Sequence, residues 1–166
     1  MRHFTGGVLS RVSDLTRGRV RSIAELYIPY RLFRVTVLSS GREQGRVFAL
    51  DAVQGTLDLF EFPQVPADGE LLAVETRNVV PCAVEASQSC DQVVAKIRRM
   101  IFTRGFFKVR DLRIEAELIP GELYIPYWVG FRGRGERASV SVLDAVRRRA
   151  EGAKVRHIVE AWLRSQ

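Results

Sequence analysis

Glu25-Leu26-Tyr27-Ile28-Pro29-Tyr30 returns letter for letter as Glu122-Leu123-Tyr124-Ile125-Pro126-Tyr127. Each copy opens into an apolar stretch, a glycine-bearing polar turn and a second apolar stretch ending Leu-Asp-Ala-Val, at Leu50 to Val53 and at Leu143 to Val146. An identical hexapeptide followed, in the same order, by an identical tetrapeptide does not arise readily by chance. Self-similarity of this kind is the signature of a repeated structural unit. The expectation is an α+β fold of two internally duplicated antiparallel β-meander units, with helices packed on one face.

Working outward from the first copy, Leu32, Arg34, Thr36 and Leu38 alternate with Phe33, Val35 and Val37. This period of two predicts a strand with the Phe33, Val35 and Val37 face buried and Arg34 and Thr36 turned out. β-branched and aromatic residues favour strand over helix here. Ser39 to Gly45 reads as a hairpin loop and Arg46 to Leu50 as the returning strand. Asp51-Ala52-Val53-Gln54-Gly55 reads as a tight turn, with Asp51 accepting turn amides and Gly55 taking a positive φ. Thr56 to Phe62 then completes a three-stranded meander.

In the second copy, Phe106 to Ile119 forms the approach strand, with Leu112, Ile114, Ala116 and Leu118 on one face. Trp128 to Phe131, the turn Arg132-Gly133-Arg134-Gly135-Glu136 and the strand Ala138 to Leu143 repeat the hairpin. After Asp144 the copies diverge, and Arg148 stands where the first has Gly55.

Three helices are expected. Val8, Leu9, Val12 and Leu15 predict a short one ending at Gly18. A second starts with Ser87 or Ser89 as N-cap, presents Val93, Val94, Ile97, Met100 and Ile101 on one face, and ends at Gly105. The last begins near Ala153 and carries the stripe Val155, Ile158, Val159, Trp162 and Leu163. Pro63 to Gly69 is a linker by composition and Leu71 to Val80 is extended. The organisation expected is residues 1–62 as the first meander unit, 63–86 as linker and connecting strand, and 87–166 as the second unit with its helices.

A chain of 166 residues suits one domain or two small halves, and 46% hydrophobic residues can fill a core. No apolar run approaches the roughly 20 residues of a membrane-spanning helix. Met1 to Gly7 lacks a charged-then-apolar leader pattern, so a cytoplasmic location is expected. Cys82 and Cys90 are expected as reduced thiols. The net charge of +7 comes mostly from arginine, with lysine only at positions 96, 108 and 154. Guanidinium groups suit bidentate contact with phosphate or carboxylate, which points to an anionic partner.

The candidate binding surface comprises Tyr27, Tyr30, Tyr124, Tyr127, Trp128, Arg132 and Arg134. Its rings would supply contact area and its hydroxyls direction. The competing reading is scaffold: Pro29 and Pro126 lie inside strands, where a missing amide calls for an edge or a bulge. Scaffold is the favoured reading. Arg132, Arg134 and Arg137, with Arg147 to Arg149, suit phosphate, but no nucleic-acid motif accompanies them and solvated surface is favoured.

Catalysis finds little support. His3 and His157 stand alone, no cysteine sits in a nucleophile motif, and no metal-ligand spacing occurs. Arg-Gly-Arg-Gly is followed by a strand, not by the helix N-terminus of a phosphate loop. Glu25 and Glu122 form the one symmetric acid pair. No catalytic, metal or cofactor residue is assigned.

The order helix, strand, hairpin, then Asp-Ala-x-x-Gly resembles the PepSY-like family, with residues 87–146 matching its order of elements. The turn matches at Asp51, Ala52 and Gly55 of the first copy. The resemblance implies small PepSY-like or cystatin-like units, each with a helix against an antiparallel sheet. It also implies non-catalytic interaction or inhibitory roles, often outside the cytoplasm. The function expected is therefore a non-catalytic binding or protein-interaction module, with a nucleic-acid-binding protein as the alternative. The partners expected are another protein, an anionic ligand, nucleic acid or a second copy of the chain.

Overall fold

A computed structural model describes residues 2–4, 20–103, 111–133 and 139–166. Among them run strands β1 (Arg2–Phe4), β2 (Val20–Ser39), β3 (Arg42–Asp51), β4 (Phe60–Phe62) and β5 (Leu71–Ala73). Helix α1 (Ala86–Thr103) follows, then β6 (Arg113–Arg132), β7 (Ser139–Asp144), β8 (Arg149–Ala150) and helix α2 (Ala153–Arg164). The fold is α+β with mostly antiparallel pairing. The exceptions are the parallel pair His3 with Tyr124 and a parallel bridge from Tyr27 to Val79.

Two compact units alternate along the chain. One holds Met1–Pro29, Ala67–Pro81 and Leu123–Gln166; the other holds Tyr30–Pro66 and Cys82–Glu122. Strands β2 and β6, each 20 residues long, give one half to each unit. Both change unit inside a hexapeptide, β2 after Pro29 and β6 after Glu122.

In the unit containing α1, the strands lie in the order β4-β3-β2-β6. Phe33 and Val35 are buried and Arg34 is exposed, as the alternation predicts. Phe33, Val35, Phe48 and Leu50 pack with Val93 and Ile97 of α1. Ile114, Ala116 and Leu118 of β6, with Cys90, Met100 and Ile101 of α1, extend this core. Fully burying a side chain of this kind contributes about 1.5–3 kcal/mol, so the helix is held chiefly by its apolar face.

Several local expectations need correction here. The loop between β2 and β3 is not seven residues but the pair Ser40-Gly41, with φ of 51° and 73°. Two successive left-handed residues match the twist of a tight hairpin, so pairing runs on from Ser39 opposite Arg42. The third strand is shorter than predicted, since only Phe60–Phe62 joins β3. Leu57 is held by side chains: its N–H donates to Asp51 Oδ2 (2.8 Å), and its O accepts from Lys96 Nζ (2.6 Å). Helix α1 begins at Ala86, ahead of both serines. Ser89 is buried within it, and its hydroxyl donates to Glu85 O at 2.9 Å.

In the other unit, β6 pairs with β1 and β7, β1 with β5, and β7 with β8. Only Leu71–Ala73 of the predicted extended segment is a strand. Beyond it Asn78 O accepts from Tyr27 N–H and Val80 N–H donates to Tyr27 O, both at 2.9 Å, so this stretch lies along Tyr27. Helix α2 packs on β7, with Val155, Ile158 and Val159 buried, Trp162 and Leu163 half-buried, as the stripe predicts.

The hairpin registers of the two copies agree. Tyr30 lies opposite Asp51 and Arg31 opposite Leu50; Tyr127 lies opposite Asp144 and Trp128 opposite Leu143. The predicted helix at residues 8–18, residues 104–110 with the helix end at Gly105, and Arg134, Gly135, Glu136 and Arg137 lie outside the described residues.

Candidate functional site

The expected aromatic surface is largely interior. Tyr27, Tyr30 and Tyr127 are buried, Tyr124 and Trp128 half-buried. Tyr27 donates its hydroxyl to Glu25 Oε2 at 2.8 Å. Burial, reinforced by that carboxylate, raises the phenol well above its ordinary pKa and keeps it a neutral donor. Tyr30 meets the ring of Phe60 edge-on, centroids 5.2 Å apart. Tyr27, Tyr30 and Tyr127 thus fill the interior. Arg134 lies outside the described residues. Of the described residues of the expected surface, Arg132 lines a groove described below.

Around each tyrosine the paired aspartate organises a turn. Asp51 Oδ1 accepts from Gln54 N–H (2.8 Å) and Gly55 N–H (2.9 Å), while Oδ2 takes Leu57 N–H. Gly55 has φ +67°, as expected of its place in the turn. Asp144 Oδ1 accepts from Val146 N–H (2.9 Å) and Arg147 N–H (2.7 Å), but its buried Oδ2 has no hydrogen-bond partner among the described residues. Burial raises the Asp144 pKa; the Arg147 amide and charge and the Val146 amide oppose the rise, and Glu151 adds to it. Arg148, four residues on, takes φ +56°, a left-handed conformation at the place of Gly55.

Glu25 and Glu122 have different neighbours. Glu122 Oε1 accepts from Cys82 Sγ at 3.1 Å and lies 3.9 Å from Arg31 Nη2. Arg31 Nη1 also donates to Val84 O (2.5 Å) and Ser89 Oγ (3.1 Å). This ties β2 to the start of α1. The Cys82 thiol is pushed up to about 11, first by burial and then by Glu122, with Arg31 opposing. Cys82 and Cys90 are free, and at neutral pH Cys82 is a thiol rather than a nucleophilic thiolate.

Among the described residues, the unit containing α2 holds a groove of about 700 Å³. Arg21 and Ser22 come from the start of β2, and Phe131 and Arg132 from the end of β6. Ser139 and Val140 at the start of β7, with Glu160 and Leu163 on α2, complete the principal lining. Two guanidiniums, two hydroxyls and one carboxylate thus share a hollow with three apolar side chains. Such a site can orient a charged group while burying an apolar body.

Sequence reasoning reached Arg132 and missed its companions. Arg21 and Arg132 are far apart in the chain, and no local spacing links them. Leu163 was legible as part of the α2 stripe, although as core.

Among the described residues no three His, Cys, Asp or Glu side chains group to hold a metal ion, and no helix is long and apolar enough to cross a membrane. The chain matches no protein-family model, no curated protein and no solved structure.

Proposed function

We propose that this protein is a non-catalytic binding module whose recognition site is the two-arginine groove, and that its partner there carries negative charge. The observation that carries the reading is the convergence of Arg21 and Arg132 on one hollow of about 700 Å³. Guanidinium groups present several donors in a fixed fork, suited to carboxylate or phosphate oxygens. The engagement of candidate reactive groups supports the non-catalytic part. Tyr27 hydrogen-bonds Glu25, Glu122 accepts from Cys82, and the Cys82 proton is held above neutrality.

The scaffold, in the same proposal, is one meander used twice. Equal registers, Tyr30 on Asp51 and Tyr127 on Asp144, support it. So does the positive φ shared by Gly55 and Arg148, four residues after each aspartate. A PepSY-like kinship belongs to this proposal and rests on the helix-on-sheet order and the Asp51, Ala52 and Gly55 turn.

Thermal unfolding with added anions tests the reading. A ligand that binds only the folded state raises the melting temperature as its concentration passes its dissociation constant. Citrate and pyrophosphate are expected to raise it beyond an ionic-strength control of potassium chloride, and Arg21→Gln with Arg132→Gln to abolish the excess. No excess over the control in the wild-type protein would contradict the proposal.

A further inference from the structure

Resting on the reading of this groove as the binding site, we propose that its ligand is a small amphipathic acid: one monoanionic head on an apolar body. The charge of the lining favours a monoanion, with polyanions such as citrate and pyrophosphate binding more weakly. Arg21 and Arg132 line the same hollow as one carboxylate, Glu160. Among the described lining residues, two cations against one anion leave a single positive charge, which a monoanion neutralises and a chain of phosphates exceeds.

Arg132 is also engaged within the protein, but a guanidinium carries five N–H donors, more than one partner takes. The apolar side chains are the second argument. Phe131, Val140 and Leu163 line the groove beside the arginines, and a polar polymer would leave that surface unused. Covering it with a hydrocarbon body gains about 25 cal/mol per Å² removed from water. The volume lies within the range of about 300–1,000 Å³ that holds a small molecule. A nucleic acid would require an extended basic track with stacking faces.

Decanoate is the probe, used below its micelle concentration and followed by amide chemical shifts of the full chain. Decanol, pyrophosphate and a mixed-sequence single-stranded oligonucleotide are the comparison ligands. Decanoate is expected to saturate with a dissociation constant of about 0.1 mM or tighter, shifting the amides of Arg132, Ser139 and Leu163. Arg132→Gln and, separately, Arg21→Gln are expected to weaken it about tenfold, the effect of one charge-assisted hydrogen bond. Leu163→Ser is expected to weaken decanoate while leaving pyrophosphate unchanged. The same spectra report whether each variant is folded, and Arg21, on an exposed strand start, provides a substitution independent of Arg132.

Tighter groove binding by pyrophosphate or the oligonucleotide would overturn the amphipathic acid and leave the anion-binding reading standing. Decanol binding as tightly as decanoate, or decanoate binding unaffected by both arginine variants, would also overturn it. If none of the four ligands shifts groove amides, both readings fall.

Discussion

Asp51 and Asp144 stand opposite equivalent tyrosines, yet only Asp51 uses both carboxylate oxygens on backbone amides. Asparagine has one acceptor oxygen and cannot replace both. Asp51→Asn is therefore expected to cost about 1–3 kcal/mol in urea unfolding at pH 7. At Asp144 the carboxylate holds its proton more tightly in the folded chain than in the unfolded one. Its contribution to stability is then complete below the ordinary carboxylate value of about 4 and is lost as pH rises through the raised folded-state value. Urea unfolding from pH 4 to 7 should show Asp144→Asn gaining stability relative to wild type as pH rises. A constant difference would contradict this. The glycine position gives a second contrast. A Cβ on Gly55 would stand 2.0 Å from Gln92 Oε1 at a φ that L-residues avoid, so Gly55→Ala is expected to cost about 2 kcal/mol. Arg148→Gly, at the matching place, relieves a left-handed side-chain residue and should stabilise by about 0.5–1 kcal/mol in the same assay.

At the scale of elements, the alternation at Phe33 and Val35 and the stripes of α1 and α2 were legible because burial on one face of a strand or helix imposes a local period. What escaped was set by partners distant in sequence. Arg31 falls on the Phe33 face, where a charged residue breaks the pattern; Val84 O and Ser89 Oγ explain it. Residues 56–59 read as strand because their composition suits one, but Asp51 and Lys96 take the backbone groups of Leu57. The tight Ser40-Gly41 turn was hidden by polar residues that belong to the strands themselves. Ile97→Ala, in the centre of the α1 core, is expected to cost about 3 kcal/mol by chemical denaturation. The Cys82 thiol near the start of α1 should alkylate with iodoacetamide at a rate that climbs with pH towards about 11. Glu122→Gln should shift that profile to lower pH, whereas an unmoved profile would exclude the carboxylate as a cause.

For the whole molecule, the repeat announced the scaffold but not the groove. Both hexapeptides place residues in the interior: Leu26, Tyr27, Ile28 and Tyr30 in one copy, Leu123, Ile125 and Tyr127 in the other, are almost wholly buried. The groove instead joins unlike residues from the start of β2, the end of β6, β7 and α2. No periodicity records such a meeting, and its arginines look in sequence like any other surface charge. On the proposed reading, scaffold and site are separate, and the repeated segments carry no binding task. Native-state amide hydrogen exchange tests that division most directly. The account predicts that the hydrogen-bonded amides of Leu26 to Tyr30 and Leu123 to Tyr127 are among the slowest in the chain, opening only with global unfolding, and keep that protection when a ligand binds. Rapid exchange in either segment, or protection that appears there only with a bound ligand, would contradict it.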